Sequence, residues 1–146
     1  MSEYLARLSW KRTTADFSYE NYNRDHTVTS GGGQLLAVSS SPEFRGSAAL
    51  ANPEELLVAA LSSCHMLSFL AIAARKRLVV DTYEDHAAGV MTKNADGKLF
   101  VSQVFLRPKV GFATRPSAEV LEKLHQQAHA DCFIANSVLT KVTVET

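Results

Sequence analysis

The chain has 146 residues, enough for one domain with its own hydrophobic core. Fifteen basic residues balance fifteen acidic ones, and 46% of positions are hydrophobic against 21% charged. That balance excludes the basic excess expected of a general nucleic-acid or membrane-surface binder, and it is compatible with self-association. Met1, Ser2, Glu3, Tyr4, Leu5, Ala6 and Arg7 contain no basic segment leading into an apolar run. The most apolar stretch, 56–74, is interrupted by Ser62, Ser63, His65 and Ser68, which reads as a buried helix. A cytoplasmic protein without a membrane partner is expected.

Ala6, Leu8 and Trp10 alternate with polar residues, as do Ala15, Phe17 and Tyr19, which predicts two half-buried strands. Residues 21–25 and the triplet Gly31, Gly32, Gly33 are turn candidates, and Leu36 with Val38 predicts a third strand. Residues 39–51 form a loop rich in Ser, Gly and Ala that contains Pro42, a kind of segment that often carries function. A helix starts at Asn52, which is a good N-cap with Pro53 in the first turn and Glu55 three residues on. Glu54 and Glu55 suit the positive end of the helix dipole, and Arg75, Lys76 and Arg77 suit its negative end.

Residues 78–92 and 98–109 read as two strands joined by a turn at 94–97. From 116 to 131 the spacing turns helical, with Val120, Leu121, Leu124 and Ala128 on one stripe that Cys132 continues. Val138, Thr140, Val142 and Val144 mark a last strand. The order of strands, long helix, hairpin, helix and strand is α+β, in a single domain over 1–146.

Cys64 and Cys132 carry the chemistry. Two thiols in a chain of this kind point to reversible thiol chemistry more than to a structural staple. Each alone is equally compatible with a buried, inert cysteine, and both sit on apolar stripes. A reactive thiol must be a thiolate, and Cys64 lies too deep in its helix to be served by that helix's own N-terminus. A cation from elsewhere is required, with Arg24 and Arg45 as candidates. Glu54 precedes Cys64 by ten positions, roughly 15 Å along a straight helix. It reaches the thiol only if the helix breaks or a second subunit supplies it. A zinc site from Cys64, His65, His129 and Cys132 is disfavoured because adjacent helical residues diverge by about 100° and no CxxC pair is present.

The segment from Asn52 through Pro53, Glu54, Glu55 and Leu56 to Cys64 resembles the nucleophile helix of the OsmC/Ohr family, the osmotically inducible and organic hydroperoxide resistance proteins. The segment from Ala128 and His129 to Cys132 and Asn136 resembles its second-cysteine motif. The resemblance implies the OsmC-like fold on an intertwined homodimer, with sites at the subunit interface. It implies a thiol peroxidase in which Cys64 is oxidised and Cys132 closes a disulfide with it. Arg24, within Asn23, Arg24, Asp25 and His26, matches the activating arginine, with Arg45 in reserve, and Glu54 matches the acid that holds it. No cofactor or metal is implied. The partners implied are an organic hydroperoxide and an external dithiol such as a dihydrolipoyl group. Phe133, where many relatives have proline, and His65, where an apolar residue is common, indicate a distinct branch. Leu61, Met66 and Leu67 are expected to make the site apolar. The rival readings are a module binding small hydrophobic ligands and a redox sensor.

Overall fold

Residues Ala6–Ser9 form β1, His26–Ser30 form β2 and Leu35–Val38 form β3, paired antiparallel in the order β1-β2-β3. They belong to the first of two units, Met1–Leu56 and Leu57–Thr146, in a computed structural model that describes residues 1–146. The triple glycine makes the β2–β3 turn. Gly33 takes φ 89°, which L side chains avoid, while its N–H bonds to the Ser30 carbonyl at 2.9 Å.

The strand expected around Ala15, Phe17 and Tyr19 does not form. Local polar chemistry wins there over the period of two. The Asp16 carboxylate accepts from the Ser18 N–H at 3.0 Å and from Asn21 Nδ2 at 2.7 Å, which bends the chain. The second strand is instead β2, which lies between the two turn candidates and to which the sequence reading assigns no element. Residues 39–51 form the expected loop, pinched at its neck, where the Ser39 N–H donates to the Ala51 carbonyl at 2.8 Å. A 3-10 turn, Pro42–Phe44, ends at Arg45 with φ 64°. Gly46 is obligatory, because a Cβ there would lie 1.6 Å from the Ser40 carbonyl oxygen.

The long helix α1, Pro53–Arg75, runs without interruption. Asn52 caps it as expected, with Oδ1 accepting the Glu55 N–H at 2.9 Å. At the other end Leu78 N–H bonds to the Ala73 carbonyl and Arg77 N–H to the Ala74 carbonyl, a Schellman closure. Its left-handed position, usually glycine, is held by Arg77 at φ 60°.

In the second unit the two expected strands are four: β4 Val80–Asp85, β5 Ala88–Lys93, β6 Leu99–Leu106 and β7 Pro108–Phe112. β4 pairs antiparallel with β7, and β5 pairs antiparallel with β6. The ladder breaks at 86–87 and Arg107, where Pro108 has no N–H to give and the Asp85 side chain takes over. Its Oδ1 accepts the Arg107 N–H at 2.6 Å and its Oδ2 the Ser62 hydroxyl at 2.5 Å. The turn between β5 and β6 sits at Asn94, as the sequence predicts, with the Asn94 N–H on the Lys98 carbonyl at 2.8 Å. Helix α2, Ala118–Asp131, is capped by Ser117, and β8, Lys141–Val144, returns parallel to β6.

Two hydrophobic clusters hold this unit. Phe69, Ile72 and Ala73 of α1 meet Leu124 and Ala128 of α2, backed by Val80, Val110 and Phe112. Leu61 meets Val104 and Leu106, backed by Leu57, Val58, Ile134 and Val142. Gly89 lets α1 lie close on the sheet, since a Cβ there would stand 2.6 Å from Val58 Cγ2. The buried residues of α1 are Leu61, His65, Phe69, Ile72 and Ala73, all in one face. By length and composition α1 could cross a bilayer. The Ser62–Asp85 bond and a histidine in its packed face are instead features of a core helix.

Replacing Arg77 with glycine removes the left-handed strain at an exposed position. Stability is expected to rise by about 1 kcal/mol, read as a higher urea midpoint at constant slope. An unchanged or lower midpoint contradicts the assignment of strain at this residue.

Candidate active site

The inward stripe of α1 passes through Leu61, His65 and Phe69, so Cys64 stands on the helix flank and is only half-buried. The sequence reading placed Cys64 on an inward stripe with Leu57, Ala60, Leu61, Leu67 and Ala71, of which Leu61 is buried and Leu57 packs with it. Leu67 is in fact 60% exposed, and Leu61 faces the sheet core. Cys132 follows the last turn of α2 as its C-cap and is 1% exposed. The two thiols are free and close enough for Cys64 to bear on the ionisation of Cys132, although they lie 68 positions apart.

Their environments differ. Burial pushes the Cys132 thiol above its ordinary pKa, and the adjoining Cys64 thiol adds to that push. The amide N–H groups of Ala135 and Ile134 act the opposite way, the first donating to Cys132 Sγ at 3.4 Å. These amides come from the short turn after α2, the 3-10 segment Ala135–Ser137 and the residue before it. Asn136 closes the segment back on α2 through Nδ2 to the Ala130 carbonyl at 3.1 Å.

Cys64 opens on a cleft of about 580 Å³ between α1 and the segment after α2. Leu67, Ala71, Ile72 and Phe133 give it apolar walls, and Arg75, Asp131 and Asn136 give it polar edges. Of the three residues expected to make the site apolar, only Leu67 lines it. Phe133, noted as a departure from the family pattern, is 80% exposed at this cleft.

Arg24, Arg45 and Glu54 lie in the first unit. Arg24 stacks on Tyr22, with the guanidinium carbon 3.6 Å from the ring centroid, and also lies over Tyr19 at 5.1 Å. Its Nη1 donates to the Tyr22 carbonyl at 2.6 Å, its Nη2 donates to the Tyr19 carbonyl, and its Nε is buried without a partner. Arg45 approaches the same Tyr19 ring at 5.7 Å. The two candidate arginines thus share one aromatic platform. Glu54 sits in the first turn of α1, and since α1 is unbroken it cannot fold back onto the thiol of its own helix. Within the chain neither Arg24, Arg45 nor Glu54 forms an ion pair; the ion pairs are Arg107 with Glu145 and Lys123 with Glu119.

The sequence reading missed His125. It lies on the inward side of α2 beside Leu124, and its Nδ1 is 3.1 Å from His65 Nε2 with the rings parallel within 7°. A histidine adjoining an apolar helical stripe was the available signal. Burial lowers the His65 pKa from its usual value to about 4, with His125 and His129 adding and Asp85 opposing. Burial also lowers His125. Two neutral rings share one N–H, one donating and the other accepting; two charged rings would present N–H to N–H. His65 is therefore a packed partner of His125. No group of three or more His, Cys, Asp or Glu side chains converges as a metal site would require.

Residues 46–146 match the family model described as OsmC-like protein. The chain belongs to the OsmC-like family. An OsmC-like protein of unknown function from Vibrio cholerae O1 biovar eltor is 46% identical, with 99% of each chain covered and a TM-score of 0.95. The uncharacterized protein YmaD of Bacillus subtilis is 24% identical over 127 residues, 84% of either chain. An organic hydroperoxide resistance protein from Elizabethkingia anophelis shares the fold, with a TM-score of 0.72 over 100% of this chain and 97% of its own, at 19% identity. The α+β architecture expected from the sequence is therefore that of the OsmC-like fold.

The neutral histidine pair sets a pH dependence. Both folded pKa values lie below the unfolded value, so the unfolded chain binds more protons as pH falls. The contribution to stability is complete above the ordinary histidine pKa and is lost progressively down to the folded value of about 4. Urea midpoints are expected to fall between pH 7.5 and pH 5, and His65→Gln to flatten that slope. An identical slope in the variant refutes the assignment to this pair.

Proposed function

We propose that the protein is a cysteine-based peroxidase that reduces organic hydroperoxides to alcohols, with Cys64 as the oxidised thiol and Cys132 as the resolving one. The observation that carries this reading is the contact of two free thiols of unequal burial beside an apolar-walled cleft. The Cys64 thiolate attacks the distal peroxide oxygen; the O–O bond breaks, and the alkoxide takes a proton and leaves as alcohol. Cys64 is then a sulfenic acid. Cys132 attacks its sulfur, and the hydroxyl leaves with the Cys132 proton as water. An external dithiol, of which a dihydrolipoyl group is one example, restores both thiols. The apolar walls favour an organic peroxide over hydrogen peroxide.

In this reading Arg24 is the cation that holds Cys64 as thiolate and orients the peroxide, and Glu54 holds Arg24. An unbroken α1 leaves a second subunit as the source of Glu54 beside a given Cys64. A homodimer is supported by what a single chain leaves uncovered. Leu5, Leu8, Trp10, Phe17, Leu35 and Leu36 of the first unit, whose sheet has only three strands, are all at least 40% exposed. Two thiols kept reduced at rest fit a cytoplasmic setting.

Turnover of cumene hydroperoxide with dithiothreitol or dihydrolipoamide tests the reading. Wild type is expected to consume the peroxide, and Cys64→Ser to fall to the uncatalysed rate. Cys132→Ser should complete one oxidation, with a sulfenic acid trapped by dimedone, and then stop. Arg24→Gln should lower kcat/KM about 100-fold without loss of fold. Sedimentation should give twice the mass of the chain. Cys64-independent consumption, or sustained turnover by Cys132→Ser, overturns the assignment.

A further inference from the structure

Resting on that reading, the geometry points to a fixed direction for the recycling step: the reductant attacks Cys64 sulfur, and Cys132 departs as a thiolate held by the amides that follow α2. Three observations converge on this direction. The first is access. Cys64 faces the cleft, whereas Cys132 is 1% exposed behind it. Whatever opening admits a peroxide oxygen to Cys64 admits a thiol to the same atom, and no corresponding approach exists to Cys132 Sγ.

The second is the leaving group. Burial disfavours charge on Cys132, and what works against that and for its expulsion is the pair of amides that follow α2. The Ala135 N–H already points at Cys132 Sγ at 3.4 Å in the resting protein. Such a donor strengthens when the sulfur acquires charge. Cys64, in the interior of α1, has no free backbone N–H in its own turn to offer, because those groups are spent on the helix. The third is rigidity. The donors lie on a short turn fastened by Asn136 to the Ala130 carbonyl and by the Ser137 hydroxyl to the Phe133 carbonyl at 2.7 Å, so they are in place before the bond breaks.

The step balances as an exchange. A reductant thiolate forms a bond to Cys64 sulfur while the Cys64–Cys132 bond breaks, and Cys132 leaves with the electron pair. The second thiol of the dithiol then attacks the reductant sulfur, closes the reductant's own disulfide and releases Cys64 as thiolate. Cys132 takes up a proton given by the dithiol and returns to its resting thiol. The mixed disulfide therefore forms on Cys64, and the cleft walls at Leu67, Ala71 and Phe133 are what the reductant meets.

The direction is tested on the wild-type protein, oxidised with diamide so that the disulfide forms whether or not the protein consumes peroxide. Brief treatment with 2-mercaptoethanol, acid quench, iodoacetamide and peptide mass mapping then read which sulfur carries the adduct. The expected result is 2-mercaptoethanol on Cys64 with Cys132 alkylated, in about tenfold excess over the reverse. Adduct on Cys132, or an even split, overturns the direction while leaving the peroxidase reading intact. Failure of diamide to join the two cysteines overturns both. A Cys64 adduct in a protein that does not consume cumene hydroperoxide supports the direction and removes the peroxidase.

Discussion

The packing of α2 across α1 is the constraint on which the site depends. Phe69, Ile72 and Ala73 meet Leu124 and Ala128 there, and the His65–His125 contact lies in the same face. The end of α2 then brings Cys132 to Cys64. A shift of α2 by one residue would rotate its buried face by about 100° and carry Cys132 away from its partner. Burying two imidazoles at this crossing costs solvation that an apolar pair would not. In exchange the shared N–H makes one register of the two helices better than its neighbours, a specificity that leucines alone do not impose.

The two thiols acquire different surroundings from their positions on their own elements. Cys64 is on a flank, so solvent and ligands reach it. Cys132 is at a cap, where the chain leaves the helix and turns its next amides back toward the sulfur. One cysteine is half-buried and has no amide donors, and the other has the donors but is hidden. This asymmetry needs no charged residue inside the second unit. A neighbouring cation remains a separate requirement, met in the proposed scheme by Arg24 on its Tyr19 and Tyr22 platform.

Much of this was legible in the residues. Asn52 and Pro53 located the start of α1, Gly31 to Gly33 and Asn94 located two turns, and the stripe through Leu124 and Ala128 located α2. The contexts of the two cysteines pointed to the family. Period-two alternation failed at 15–19, because Asp16, Ser18 and Asn21 bond locally before a strand can pair. The break in the long hairpin was hidden, because it depends on Asp85 capturing the Arg107 N–H and the Ser62 hydroxyl across the fold. The facing of Cys64 was misjudged for a general reason. On a helix apolar nearly all round, composition does not say which face the sheet covers, and it is Leu61, His65 and Phe69 that mark it. The pairing of His65 with His125 spans sixty positions and carries no local signal.

The adjacency of Cys64 and Cys132 also bears on how long the molecule persists. A bond between them would tie off most of the second unit, since the cysteines lie 68 positions apart. Closing a loop of that size restricts the unfolded ensemble by about 4 kcal/mol in the chain-entropy view. The bond would also clamp the end of α2 to α1, where the hydrophobic clusters meet. Oxidation would therefore do more than record an encounter with an oxidant. It would leave a chain that opens less often to proteases and lasts longer in the cell, until reduction returned it to ordinary turnover.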